Sequence, residues 1–139
     1  MSAINEILPT LYLSNFQPAT NFDFLKTLGI THIVNASSIE NMFPGDLKYY
    51  RLKIDDLPSE NISKYFEEIN AFISNAINSG GKVLVHCDAG ISRSPTLVIS
   101  YLASINGSLN KSFEYVKKKR SIIQPNMGFI SQLKSVYKD

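Results

Sequence analysis

The first half of the chain consists of short apolar runs separated by polar breaks. Residues 11–13 and 31–34 are rich in β-branched and aromatic residues, which favours β-strands. Between them, residues 21–28 have the spacing of a short helix, and Gly29 marks its end. Residues 49–54 form another apolar run that predicts a strand. The pattern therefore predicts strands with a helix between them.

The clearest helical pattern in the chain follows this region. Gly80 and Gly81 end it, and residues 83–85 are then apolar without polar alternation. Such an uninterrupted apolar run is typical of a strand that is buried on both faces of a sheet. The helical pattern itself consists of seven apolar residues that recur at the 3.6-residue period: Ile62, Tyr65, Phe66, Ile69, Phe72, Ile73 and Ala76.

Helical patterns dominate the remainder of the sequence. Ser94 and Pro95 are typical of a helix start, with the serine as N-cap and the proline in the first turn. Residues 109–119 and 127–137 predict two further helices, separated by Pro125. Strands followed by helices, with a buried central strand, indicate an α/β domain.

Composition limits the class of protein. The 139 residues are 44% hydrophobic and 19% charged, which suits one globular domain with a substantial core. No repeat, linker or low-complexity tract divides the sequence, so we expect residues 1–139 to form a single domain. The 14 basic and 12 acidic residues give a net charge of +2, which is too balanced for recognition of nucleic acid by charge.

The sequence also bears on location and partners. We find no apolar run as long as the roughly 18–20 residues of a membrane span and no secretory signal, so we expect no membrane partner. The single cysteine, Cys87, cannot form an intramolecular disulfide, which favours a reducing compartment. We therefore expect a cytoplasmic monomer that binds no nucleic acid. The basic run at residues 117–120 leaves nuclear entry open, although cations at a helix end are usually a solvated terminus.

The candidate chemistry lies in residues 86–94, between the buried strand and the next helix. Ligands of open α/β sheets bind at this edge, and the backbone N–H groups of such a loop, together with the helix dipole, attract anions. Gly90 suits a loop that turns tightly beside a ligand. We therefore expect a phosphate to contact Asp88, Ala89, Gly90, Ile91, Ser92 and Arg93.

The residue types in this loop indicate nucleophilic displacement at a phosphate ester. A cysteine near a helix N-terminus and a cation favours the thiolate form, which needs no separate base, so Cys87 is the candidate nucleophile. The planar fork of Arg93 can hold two phosphate oxygens. Ser94 can hydrogen-bond the sulfur when it becomes the leaving group of a second step. This chemistry requires no metal and no cofactor.

The leaving oxygen needs a proton, so a carboxylic acid should reach the loop from elsewhere. Asp55 and Asp56 follow the predicted strand at 49–54 and are the obvious sources. The residue types alone do not decide between the two.

The loop resembles the protein-tyrosine-phosphatase superfamily, whose pattern is His-Cys, five residues, Arg, then Ser or Thr. In detail the chain is similar to small atypical dual-specificity phosphatases, from Ile7 to Leu133. The resemblance implies a central mixed sheet of about five strands with helices on both sides. It also implies that Cys87 is the nucleophile, that Arg93 binds phosphate, and that Asp56 rather than Asp55 is the general acid.

The resemblance assigns two further residues. It makes His86 a residue that orients the loop and not a base. In relatives, the position of Arg120 can lie near the pocket, so Arg120 is a candidate for holding a second phosphate.

The leading hypothesis is therefore a phosphatase of phosphotyrosine and of phosphoserine or phosphothreonine in proteins. Two alternatives stay open: a phosphatase of phosphoinositides, glucans or RNA, and a non-catalytic module that binds phosphoproteins. The five residues between Cys87 and Arg93 include one anion and no cation, which disfavours polyanionic substrates. The physiological substrate and the preferred phosphoresidue are not determined by the sequence.

Overall fold

The computed structural model describes residues 3–139, which contain one mixed β-sheet. Its strands lie in the order β1-β2-β5-β3-β4, so β5 is central. The β1–β2 pair is antiparallel, and the other three pairs are parallel. The strands are β1 (Ile4–Leu8), β2 (Leu11–Ser14), β3 (His32–Asn35), β4 (Lys48–Arg51) and β5 (Val83–His86). This arrangement confirms the expected five-stranded mixed sheet.

Helices follow the strands in the pattern that the sequence predicted. Short 3-10 turns precede α1 and α2, at Pro18–Thr20 and Ser63–Tyr65. The α-helices of the described residues are α1 (Phe22–Leu28), α2 (Phe66–Asn78), α3 (Arg93–Asn106), α4 (Leu109–Lys119) and α5 (Met127–Val136).

The sheet is covered on both faces. Along β5, Val83 and Val85 belong to the large core that includes residues of α2, α3, α4 and α5. Leu84 points to the other face, where it packs in a smaller cluster with Leu25 of α1. All four residues of β5 are buried, as its uninterrupted apolar run predicted.

Several boundaries differ from the sequence-based expectation. Strand β4 ends at Arg51 and not at residue 54, and α2 begins at Phe66 because a 3-10 turn occupies the preceding residues. The N-cap of α3 is Ser92 and not Ser94. Ser94 lies inside the first turn, where its hydroxyl contacts Sγ of Cys87 and does not cap the helix.

The topology brings the functional loop to one edge of the sheet. β3 and β5 are parallel, with Asn35 opposite His86, so both strands end at the same edge. The chain leaves β5 at His86 and enters α3 at Arg93. Residues 87–92 therefore form a loop at the carboxyl ends of parallel strands, the usual ligand position in such sheets.

Candidate active site

Cys87 lies at the floor of this loop and is only 2% exposed. Its Sγ is 3.0 Å from Oγ of Ser94, and the backbone N–H of Gly90 donates to it over 3.2 Å. One contact comes from the tight turn within the loop, and the other comes from the first turn of α3. The sulfur is therefore held between the backbone N–H of Gly90 and the hydroxyl of Ser94.

Gly90 has a left-handed backbone conformation, with φ of +68°. A Cβ at this position would lie 2.6 Å from Nη2 of Arg120 and 2.8 Å from the backbone nitrogen of Asn15. Both the conformation and the lack of space require glycine here. The expectation that Gly90 permits a tight turn is confirmed.

Arg120 does not face the pocket, so the expected second phosphate site at this residue is wrong. The side chain is buried beneath the loop, with the residue 2% exposed. Its Nε donates to the carbonyl of Gly90 over 2.9 Å, and Nη1 donates to Oδ1 of Asn5 over 2.9 Å. Burial lowers the pKa of Arg120, while the nearby Cys87 raises it. The guanidinium supports the loop from behind because the loop carbonyls point toward it.

Arg93, in contrast, lies at the open side of the loop. Its Nη1 donates to the carbonyl of Ile54 and its Nη2 to Oδ2 of Asp88, each over 3.1 Å. Oδ1 of Asp88 accepts hydrogen bonds from the backbone N–H and the hydroxyl of Ser38, at 3.0 and 2.9 Å. Burial raises the pKa of Asp88, but the hydrogen bonds from Ser38 and Arg93 outweigh burial and lower it. Asp88 is therefore an ionised partner of Arg93.

His86 is buried at the end of β5 and is 1% exposed. Burial lowers its pKa to about 4, so the imidazole is neutral near pH 7. Among the described residues, no partner hydrogen-bonds its Nδ1. This neutral, enclosed ring is next to Cys87 in the chain but is not open to solvent.

Asp55 and Asp56 line the same cleft as Arg93, an open space of about 540 Å³. Oδ1 of Asp56 accepts a hydrogen bond of 2.8 Å from Nδ2 of Asn126. The backbone N–H of Asp55 donates to Oε1 of Glu60 over 3.2 Å. Among residues 3–139, no hydrogen bond reaches the Asp55 carboxylate, so of the two acids only Asp56 has a fixed carboxylate.

Two residues near the site were missed by sequence reasoning. The first is Asn126, whose Oδ1 caps α5 by accepting from the N–H of Phe129. An asparagine cap leaves its amide N–H₂ free to donate elsewhere, which was the available signal. Ser38 carried no signal except its place in the loop after β3, at the same edge of the sheet as β5.

Two findings concern the described part of the chain as a whole. Residues 3–139 contain no helix that is long and apolar enough to cross a membrane. In the same range, no group of three or more His, Cys, Asp or Glu side chains is arranged to hold a metal ion.

Comparison with known proteins places the chain in a family. The sequence profile of the dual specificity phosphatase catalytic domain matches residues 11–139. The chain belongs to the dual specificity phosphatase family. It is 46% identical over 130 residues to dual specificity protein phosphatase 1-A of Xenopus laevis. That match covers 92% of this chain and 35% of the relative, so the chain spans about a third of the relative's length.

Solved structures of similar proteins agree with the fold of this family member. The human tyrosine phosphatase-like serine/threonine/tyrosine-interacting protein is 38% identical and superposes with a TM-score of 0.92. That match covers 96% of this chain and 94% of the other. Human DUSP28 is 30% identical with a TM-score of 0.92, covering 99% and 94% of the two chains. The expected phosphatase-like α/β fold is thereby confirmed.

Proposed function

We propose that this domain is a cysteine-dependent protein phosphatase that hydrolyses phosphotyrosine and phosphoserine or phosphothreonine. The observation that carries the proposal is the position of Cys87. Its sulfur lies at the floor of an anion-binding loop, 3.0 Å from the hydroxyl of Ser94, and Arg93 lies beside the loop. A nucleophile in this position can reach only a ligand that the loop itself holds.

In the first step, the Cys87 thiolate attacks phosphorus, and the bond between phosphorus and the ester oxygen breaks. The backbone N–H groups of residues 88–93 and the Arg93 guanidinium bind the remaining phosphate oxygens and their developing charge. Two of the five N–H donors of Arg93 are used by Ile54 and Asp88, which leaves three for phosphate. Asp56 donates a proton to the leaving oxygen, and the free hydroxyl of the substrate departs.

In the second step, water hydrolyses the phosphocysteine. The Asp56 carboxylate, now without its proton, removes a proton from the attacking water. The bond between sulfur and phosphorus breaks, and inorganic phosphate leaves. Ser94 donates a hydrogen bond to the departing thiolate of Cys87, which stabilises its charge. The cycle restores the thiolate and the protonated acid.

Asp56 is the preferred acid because its carboxylate is fixed. Nδ2 of Asn126 holds Oδ1 of Asp56 at the mouth of the cleft, whereas within residues 3–139 Asp55 forms a hydrogen bond only through its backbone. His86 supports the loop as a neutral ring, because burial keeps its pKa at about 4. No step in this scheme uses His86 as a base, a metal or a cofactor.

The substrate class follows from the charges around the loop. Five carboxylates line the open cleft beside the loop, against three cations: Glu40, Asp55, Asp56, Glu60 and Asp88 against Arg51, Lys53 and Arg93. This excess of negative charge disfavours polyanions such as phosphoinositides and RNA. The names of the relatives add support for protein substrates. We propose that residues 1–139 form one catalytic domain that acts as a cytoplasmic monomer in phosphoprotein signalling.

The test is hydrolysis of p-nitrophenyl phosphate in excess EDTA by the wild type and by Cys87→Ser, followed by matched phosphotyrosine and phosphothreonine peptides. We expect the wild type to turn over all three substrates and Cys87→Ser to turn over none. Equal activity of both proteins would refute the mechanism. Peptide binding without turnover by the wild type would identify a binding module, and faster turnover of a phosphoinositide would reverse the substrate assignment.

A further inference from the structure

The loop that carries Asp56 is attached to helix α5 at both of its ends. At the start of the loop, Nδ2 of Asn126 donates to Oδ1 of Asp56 over 2.8 Å. Toward its end, Nε2 of Gln132 donates to the carbonyl of Glu60 over 2.8 Å. Oε1 of the same Gln132 accepts from the N–H of Ser63 over 2.9 Å. Helix α5 therefore forms a wall along residues 56–63.

The middle of the loop touches this wall directly at Gly128. A Cβ on Gly128 would collide with the carbonyl oxygen of Pro58, so the two backbones pack without a side chain between them. Because this packing is in direct contact, the loop cannot move closer to α5. The hydrogen bonds of Asn126 and Gln132, on either side of this contact, prevent the loop from moving away from α5.

Asn126 connects this loop to the phosphate-binding loop. Its backbone N–H donates to the hydroxyl of Ser92 over 2.9 Å, and its Oδ1 accepts from the N–H of Phe129 over 2.9 Å. Its Nδ2 is thereby left to donate to Asp56. One residue thus connects three parts of the site: its backbone contacts the loop of Cys87, and its side chain contacts the first turn of α5 and the candidate general acid.

We propose that Asn126 is the positioning residue of the general acid, an inference that rests on the proposed role of Asp56. An amide N–H₂ can only donate, so the oxygen it contacts, Oδ1, must be an acceptor. The transferable proton of Asp56 is then carried by Oδ2. Because Asp56 is exposed to solvent, its carboxyl group would rotate among several directions without this contact. Asn126 selects the orientation in which Oδ2 is the donor.

The consequence depends on the leaving group. General acid catalysis contributes about 10²–10⁴-fold, and more when the leaving oxygen is strongly basic. Phenol is a weaker acid than p-nitrophenol, so phenyl phosphate depends more on a correctly placed proton. Loss of the Asn126 contact should therefore slow phenyl phosphate more than p-nitrophenyl phosphate. Since phosphate binding does not use Asn126, kcat should fall with little change in KM.

The test uses Asn126→Ser, because serine is as good an N-cap as asparagine but is too short to reach Asp56. We expect kcat for phenyl phosphate to fall by about tenfold or more and kcat for p-nitrophenyl phosphate by a smaller factor. KM should change by less than about twofold for both. Asn126→Thr retains a cap in the same way and carries the test if the serine variant does not fold.

Asn21→Ser is the matched control. Asn21 caps α1 by accepting from the N–H of Phe24, on the opposite face of the sheet. This variant should leave the ratio of kcat for phenyl phosphate to kcat for p-nitrophenyl phosphate unchanged. If it changed that ratio as much as Asn126→Ser, the effect would be general and the proposal would be overturned.

The same substitution in an Asp56→Ala background separates the positioning role from a structural one. With the acid removed, Asn126→Ser should have no further effect on either rate. An equal loss in that background, or full activity of Asn126→Ser on phenyl phosphate, would overturn the positioning role. If Asp56→Ala alone kept the normal dependence on the leaving group, the proposed acid itself would be wrong, which is a distinct result.

Discussion

The Asp88 carboxylate lies 3.1 Å from the guanidinium of Arg93, within the same loop that holds Cys87. Two donors of Ser38 fix the other oxygen of that carboxylate. The arginine that we expect to bind phosphate is therefore oriented before any substrate arrives. Asp88 therefore has two opposing effects on phosphate binding. It orients Arg93 toward the ligand, but its negative charge repels the phosphate.

For phosphate binding, the benefit of an oriented Arg93 should exceed the cost of the negative charge on Asp88. A free arginine side chain loses up to about 1.5 kcal/mol when binding immobilises it, whereas a partly exposed charge pair contributes about 0–1 kcal/mol. We therefore expect Asp88→Asn, which cannot accept from both Ser38 and Arg93, to lower kcat/KM by about three- to tenfold. Steady-state kinetics at 0.05 and 0.5 M salt would measure this. Tighter phosphate binding by the variant at low salt would show that the charge matters more.

Arg120 should behave as a structural residue of the loop. Its guanidinium is buried and donates to Gly90 and Asn5, so truncation leaves a loop carbonyl without a donor. We expect Arg120→Ala to lower the free energy of unfolding by about 2–4 kcal/mol and to reduce turnover of all phosphopeptides alike. Urea denaturation and peptide kinetics would check both effects. A selective loss on doubly phosphorylated peptides would instead restore a second phosphate site.

Gly90 allows a prediction with an internal control. Alanine at Gly90 would bear the cost of a positive φ, about 1–2 kcal/mol, and would also meet Arg120 at 2.6 Å. Gly107 has a similar φ of +77° at the end of α3, but a Cβ there has nothing within 4 Å. We expect Gly107→Ala to lose stability only. Gly90→Ala should lose more stability and most of its turnover of p-nitrophenyl phosphate.

Comparison of the two variants isolates the role of the loop. Thermal unfolding measures the difference in stability between Gly90→Ala and Gly107→Ala. The difference in catalysis is measured as kcat at a temperature where both variants remain folded. Equal kcat for the two variants would contradict the view that the position of Gly90 against Arg120 shapes the phosphate site.

The sequence predicted those parts of the molecule that depend on local pattern. The buried strand β5, the helices and the loop between β5 and α3 follow from apolar periodicity and from residue types that are adjacent in the chain. Strand β1 was not predicted because its residues include Asn5 and Glu6, and only Ile7 is buried. An edge strand needs few apolar residues, so its pattern is weak.

Contacts between distant residues could not be predicted in this way. Arg120 was assigned to the pocket, but its partner Asn5 is 115 residues away, and no local pattern reports such a contact. The contact of Asn126 with Asp56 spans 70 residues and depends on where α5 packs. Ser94 illustrates a competition, since its sequence context favours an N-cap while the nearby sulfur of Cys87 engages the hydroxyl. Packing of the whole chain decides each of these cases.

The last prediction concerns His86, whose pKa burial lowers to about 4 from the ordinary 6.5. Above pH 6.5 both the folded and the unfolded chain hold a neutral imidazole. As the pH falls from 6.5 toward 4, the unfolded chain binds a proton that the folded chain refuses, so the free energy of unfolding decreases. Relative to pH 7.5, we expect His86 to lower the free energy of unfolding by about 2–3 kcal/mol at pH 4.5. This contribution should be absent from His86→Gln.

Urea denaturation at pH 7.5, 5.5 and 4.5 would measure this loss, provided that the other histidine is controlled. Burial, followed by the charge of Lys48, lowers the pKa of His32 as well, so protonation of His32 in the unfolded chain also reduces stability as the pH falls below 6.5. The hydrogen bonds of Asp88 lower its pKa below 3.8, so its contribution is lost only at more acidic pH. The decisive comparison is therefore between the single variant His32→Gln and the double variant that carries both His32→Gln and His86→Gln. The difference between their losses of stability gives the contribution of His86. If the free energy of unfolding of the two variants fell by the same amount between pH 7.5 and 4.5, His86 would not be the enclosed, neutral imidazole that we describe.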